Sequence, residues 1–138
     1  MYQRIAHIAL VVKDYDEAID FYINKLGFEL IEDTTLSEEK RWVIVAPKGA
    51  KECCLLLAKA ANKEQLQCVG NQTGGRVFLF LFTDNLYRDY QKLKEHNVKF
   101  VREPQQQPHG IVAVFEDLYG NMWDLIEPNE HNKGLIKK

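Results

Sequence analysis

Apolar residues recur along this chain at two spacings, and the two alternate. Residues 5–12, IAHIALVV, are almost wholly apolar and β-branched, the pattern of a buried strand. A helix follows. Asp14 suits its N-cap, Glu17 three residues on completes a capping box, and Ile19, Tyr22, Ile23 and Leu26 form one apolar stripe before a stop at Gly27. Residues 28–33, 41–46 and 53–58 read as three strands, joined by the polar run 34–40 and the turn PKGAKE.

Residues 59–75 read as a linker holding a short helix capped by Asn62 and ending near Gly70. The earlier order then returns. A strand at 77–83 precedes a helix capped by Asp84 or Asn85, with the stripe Leu86, Tyr90, Leu93 and a left-handed stop at Asn97. After it come a strand at 98–102, a polar connection carrying two prolines, a strand at 111–116, a tight turn through Asp117, Gly120 and Asn121, and a strand at 122–127. A shift of 71 residues lays Ile8, Leu10, Tyr15, Ile19 and Tyr22 over Leu79, Leu81, Leu86, Tyr90 and Leu93; a shift of 69 lays Leu55 over Asp124. The repeat predicts an α+β fold of two βαβββ modules, residues 5–58 and 76–128, in one domain spanning 1–138. The modules are expected to form a cleft-bearing, partly open mixed β-barrel with helices on the convex face. Residues 129–138 are expected to form a flexible tail.

Strand alternation assigns faces. Ile8, Leu10, Val12, Leu79 and Leu81 should lie under the helices, leaving His7, Ala9, Val11, Phe78, Phe80 and Phe82 for the cleft. The same logic sends Cys53 and Leu55 inward on one closing strand, and Met122 and Asp124 on the other. Asp124 is the informative residue, because a carboxylate on an apolar strand is costly unless something partners it. Arg41, Arg76, a backbone amide or His7 would be a structural partner; a metal ion or a proton in transit would be a functional one.

Composition narrows the choice. The 138 residues are 46% hydrophobic and 28% charged, with a net charge of −2, which gives no basis for nucleic acid or anionic membrane as a partner. No apolar run approaches the roughly 20 residues a bilayer span needs, and the N-terminal segment lacks the order of a signal peptide. Three cysteines, with Cys53 and Cys54 adjacent on opposite faces, predict reduced thiols and a cytoplasmic protein.

The repeated module, the early His7 in IAHIALVVKDYDEAIDFY and the closing DLYGNMWDLIEP together resemble the vicinal oxygen chelate superfamily, which includes glyoxalase I, extradiol dioxygenases and bleomycin-binding proteins. GNQTGGRVFLFLFTDN resembles its glyoxalase-like branch. The resemblance covers residues 5–128 and implies a homodimer. Metal-using members carry a ligand at each of four equivalent strand positions, which here fall on His7, Leu55, Phe78 and Asp124. Imidazole and carboxylate can hold a divalent ion such as Ni, Zn, Fe or Mn; leucine and phenylalanine have nothing to donate.

Two functional expectations stand side by side. One is an enzyme of glyoxalase or dioxygenase type, performing lyase, isomerase or dioxygenase chemistry on a small, partly apolar oxygenated substrate, with His7 and Asp124 as both catalytic residues and metal ligands. The other is a metal-free protein that sequesters a small molecule, as bleomycin-resistance proteins do. Proton transfer by Asp124 with His7, without metal, lies between them. In each case Phe78, Phe80, Phe82, Leu55 and Met122 are expected to wall the substrate. Arg41, with Arg102, would grip an acidic group, and His109 would close from a loop.

Overall fold

The computed structural model describes residues 1–50 and 52–130. The chain divides between Gln72 and Thr73 into two compact units. The first contains β1 (His7–Val12), α1 (Tyr15–Ile19), a π-helical turn (Asp20–Lys25), β2 (Glu29–Thr35), β3 (Arg41–Ala46), β4 (Cys54–Lys59) and α2 (Lys63–Cys68). Its sheet runs β1-β4-β3-β2, with β1 and β4 parallel and the other pairs antiparallel. The second contains β5 (Leu79–Phe82), α3 (Leu86–Glu95), β6 (Phe100–Gln107), β7 (Gly110–Glu116) and β8 (Met122–Pro128), in the order β5-β8-β7-β6 with β5 and β8 parallel. These are two four-stranded mixed sheets with helices, not closed into a barrel: the α+β architecture of two βαβββ modules. Among the described residues no helix is long and apolar enough to cross a membrane. The expected tail at 129–138 lies outside the described residues from 131 onward.

Local chemistry explains the helix ends. Asp14, Asn62 and Asn85 each sit in extended backbone and accept from the amide three residues on, at 2.9, 2.8 and 3.1 Å. Asn97, at φ 62°, stops α3 in the left-handed region. The first helix departs from its expected single α stripe. After Ile19 the winding widens, Leu26 N–H donating to Phe21 O at 2.9 Å and Phe28 N–H to Tyr22 O at 2.8 Å. That extra width brings consecutive residues inward together: Phe21 and Tyr22 are both buried, with ring centroids 5.1 Å apart.

Each sheet buries one face. In the first unit Leu10 and Val12 are fully buried beside Leu57, Val43 and Val45, and α1 packs on β3 and β4 above them. In the second, Trp123, Leu125, Ala113 and Phe115 form the equivalent layer beneath α3. Each such aliphatic or aromatic side chain contributes about 1.5–3 kcal/mol relative to an exposed one.

The register corrects one expectation. Leu55 pairs with Ile8 and is 5% exposed, so it belongs to the helix-covered face, not the open one. The residues of β4 that share the face of His7, Ala9 and Val11 are Cys54, Leu56 and Ala58. Because Ala9 pairs with Leu56 as Phe80 pairs with Asp124, the first-unit counterpart of Asp124 is Leu56.

β1 has β4 along one edge. On the other, the side chain of Gln72 acts as a stand-in strand: Val11 N–H donates to its Oε1 at 2.9 Å, and its Nε2 donates to Ala9 O at 2.5 Å. The connection expected after residue 102 is largely strand. β6 runs on through Gln107, absorbing Glu103 and Pro104 in irregular register between Arg102 and Gln105.

Candidate functional site

The open face of the second sheet carries one complete row across four strands. Phe80 on β5 pairs with Asp124 on β8, Asp124 with Val114 on β7, and Val114 with Arg102 on β6. Cross-strand partners share a face, so an aromatic ring, a carboxyl, an aliphatic floor and a guanidinium follow one another at sheet spacing. Over this row lies a cavity of about 440 Å³, lined also by Met122, Val101, Val77, Arg76 and Gly75.

Its chemistry is unbalanced. Phe80 is 60% exposed and Val101 45%, large apolar surfaces open at the cavity. Asp124 is half-buried, with no hydrogen bond or ion pair among the described residues, and burial pushes its carboxyl above the ordinary carboxylate range. The Arg102 guanidinium pulls the other way without cancelling that push. Arg76 and Arg102 are likewise in no ion pair among the described residues, so the cavity holds two guanidiniums, that of Arg102 close enough to act on the carboxyl, and one half-buried carboxyl.

A carboxyl with a raised folded pKa binds more protons in the fold than in the unfolded chain. It therefore adds stability at low pH and loses that contribution as pH rises through the folded pKa. Asp124→Asn removes the penalty. The variant should melt higher than the parent at pH 7 and show no advantage below the ordinary carboxylate range. An equal difference in melting temperature at both pH values would mean that burial does not strain this group.

The other expected site residues are placed as follows. Met122 joins Phe80 and Asp124 in the cavity lining. Phe82 shares the strand face of Phe80 but is not among the lining residues. Phe78, one residue ahead of β5, is not in the lining either and sets its ring edge-on to the core residue Trp123, centroids 6.1 Å apart. His109 sits in the β6–β7 turn, its carbonyl accepting from Asn129 N–H at 3.2 Å, and it is not in the lining. His7 is exposed on the first unit's open face, its ring edge-on to Trp42 at 6.0 Å.

Arg41 does not have the free charge expected of a substrate clamp. Its Nε and Nη2 donate to the two oxygens of Asp33 at 3.1 and 2.6 Å, its Nη1 donates to Asp16 at 2.8 Å, and its guanidinium lies 5.2 Å from the Tyr15 ring centroid. Two carboxylates hold that guanidinium even further above neutrality than usual, and its donors are spent within the unit. Arg76 and Arg102 are the available cations. Arg102 is the second member of the expected clamp; the sequence offers Arg76 only as a partner for Asp124.

A divalent metal requires a donor set, and this cavity does not supply one. Asp124 is the sole carboxylate, imidazole or thiol in its lining, and two guanidiniums stand beside it, which disfavours a second positive charge. Among the described residues no group of three or more His, Cys, Asp or Glu is placed to hold a metal ion.

The chain has clear relatives. The sequence profile of the Glyoxalase/Bleomycin resistance protein/Dioxygenase superfamily matches residues 4–125. A protein of Shewanella frigidimarina (strain NCIMB 400), described as uncharacterized, is 61% identical over 131 residues, covering 94% of this chain and 97% of that protein. Two crystal structures share the fold closely. UcmS2 is 33% identical with a TM-score of 0.81, over 92% of this chain and 99% of its own. TnmS3, an antibiotic binding protein from Streptomyces sp. CB03234, is 30% identical with a TM-score of 0.76, over 93% and 98%.

Proposed function

The chain belongs to the Glyoxalase/Bleomycin resistance protein/Dioxygenase superfamily, and from that premise we propose that it is a small-molecule binding protein that sequesters its ligand without a resident metal. The observation that carries this reading is the row Phe80, Asp124, Val114, Arg102 under an open cavity: an exposed ring, a half-buried carboxyl and a guanidinium on one face, the last two in no hydrogen bond or ion pair among the described residues. An apolar cavity with a few convergent polar groups is the usual form of a small-molecule site. The ligand that fits is flat, partly apolar and oxygenated. Its ring lies against Phe80 and Met122. A carbonyl or hydroxyl oxygen meets Asp124, which in its protonated form donates and in its ionised form accepts. An acidic group, where present, meets Arg102 and Arg76. The antibiotic binding described for TnmS3 supports this reading.

Phe80→Ala removes the largest exposed surface of the cavity while disturbing little of the core. It should weaken binding of a ligand found by thermal-shift screening by about 2 kcal/mol, roughly 30-fold, at unchanged protein stability. Unchanged affinity in that variant would move the ligand elsewhere.

A second reading has one observation behind it: the raised proton affinity of Asp124 suits a general acid or base. Under it, Asp124→Asn abolishes turnover while ligand still binds; under sequestration no turnover exists to lose. Pairing of two chains also belongs to the proposal, supported by Leu30 and Ile31, which stand open on the edge strand β2. A sedimentation mass of a single chain would remove it.

A further inference from the structure

The first unit holds a cavity of its own, of about 690 Å³, which shares no lining residue with the one around Asp124. It lies where three pieces of the unit end together: the head of α1, the β2–β3 hairpin and the exit of β4 toward α2. Each piece is tied down. Tyr15 Oη accepts from Arg41 N–H at 3.2 Å, beneath the guanidinium that Asp16 and Asp33 hold in place. The hairpin closes through the N–H groups of Leu36 and Ser37, both donating to Lys40 O at 2.8 and 3.1 Å. Past β4, Ala60 N–H donates to Val12 O at 2.9 Å and Ala61 N–H to Gln65 Oε1 at 2.7 Å. The walls therefore stand ready before any ligand arrives, which lowers the ordering cost of binding.

The two sides of this cavity differ in character. Trp42 and Leu56, both half-buried, present a flat apolar surface. The other tryptophan of the chain, Trp123, is 3% exposed in the second unit's core, so Trp42, whose ring the His7 imidazole already meets at 6.0 Å, is the indole that reaches the cavity. At the rim stand Lys40 and Lys59, exposed and in no ion pair among the described residues. Glu39 is the sole acid in the lining, and Arg41 is held by two carboxylates outside it, Asp16 and Asp33, one more than its charge requires. The rim thus sets two ammoniums that are in no ion pair among the described residues beside an aromatic wall, and the volume is that of ordinary small-molecule pockets, roughly 300–1,000 Å³.

We propose that this cavity is a second binding site, which takes a flat aromatic acid with its ring against Trp42 and Leu56 and its carboxylate between Lys40 and Lys59. A neutral aromatic would gain the wall and lose the rim. An aromatic cation would meet like charge. The site needs nothing from the Asp124 cavity, so it stands or falls independently of the function proposed above.

The test uses the full chain with 2-naphthoate as probe, 2-naphthamide as its neutral counterpart, and the two tryptophan indole N–H resonances as reporters. Saturable movement of the Trp42 resonance with Trp123 unmoved is expected. By calorimetry, Lys40→Gln combined with Lys59→Gln should weaken 2-naphthoate about tenfold and leave 2-naphthamide unchanged. Phe80→Ala should alter neither. A Trp42 resonance that stays still at millimolar 2-naphthoate overturns the proposal. So does equal affinity of the double variant, or loss of the probe in Phe80→Ala, which would place it in the other cavity.

Discussion

Gly110→Ala is expected to destabilise the protein by about 4 kcal/mol, the sum of a positive-φ penalty and an overpacking penalty. Gly110 opens β7 at φ 142°, and a Cβ there would stand 2.2 Å from the carbonyl oxygen of Glu127. That oxygen belongs to the backbone of β8, paired with β7 along its whole length, so it cannot step aside without dragging the strand. The strand in question carries Met122 and Asp124. Urea unfolding of the variant should show a lower midpoint at unchanged slope, and the ligand proposed for the Asp124 cavity should bind more weakly. A midpoint within experimental error of the parent would mean that the β6–β7 turn yields freely and does not position β8.

Asp117→Ala is expected to cost about 3 kcal/mol. Asp117 is 5% exposed, and its carboxylate accepts from Tyr119 N–H, Asn121 N–H and Asn121 Nδ2, each at 2.9 Å. The backbone closes the same turn, with Asp117 N–H donating to Asn121 O at 2.8 Å. Alanine strands those donors in a buried turn immediately ahead of Met122. Asp117→Asn keeps an acceptor and should lose clearly less. Equal losses in the two variants, read by thermal melting, would show that volume and not hydrogen bonding holds the turn.

The turn at residues 117–121 was legible because its chemistry is local: three turn-forming residues within five positions. The helix caps at Asp14, Asn62 and Asn85 were legible for the same reason. So were the faces of β1, where covered and uncovered residues follow the expected alternation. β4 was not. CCLLLA is apolar at every position, so alternation carries no phase, and a one-residue slip put Leu55 where Leu56 belongs. The widened helical turn at Asp20–Lys25 left no mark either, since Ile19, Tyr22, Ile23 and Leu26 satisfy an α stripe equally well. The pairing of Arg41 is not a local feature of the sequence. Its partner Asp16 lies 25 residues away, and only the folded unit shows that its charge is consumed. For the Asp124 cavity the sequence marked Phe80, Met122 and Asp124 by face. It could not reveal that Arg102 completes the same row, because that depends on the bulge that carries Val101 past its neighbours.

The Gln72 amide that completes β1 has a consequence in time. β1 is synthesised before either of its partners, so both of its edges wait for later residues. Its parallel partner is Cys54–Lys59, and the amide that bonds Val11 lies 61 positions downstream. At ribosomal speeds of about 5–20 residues per second, the nascent strand spends roughly 3–12 s without its guard. For that interval IAHIALVV is an unprotected β-template, and neighbouring nascent copies on one message are its nearest competitors for pairing. Yield in a crowded translation system should therefore track how fast residues 13–72 are decoded, with synonymous slow codons in that interval harming the soluble product more than the same codons placed after it.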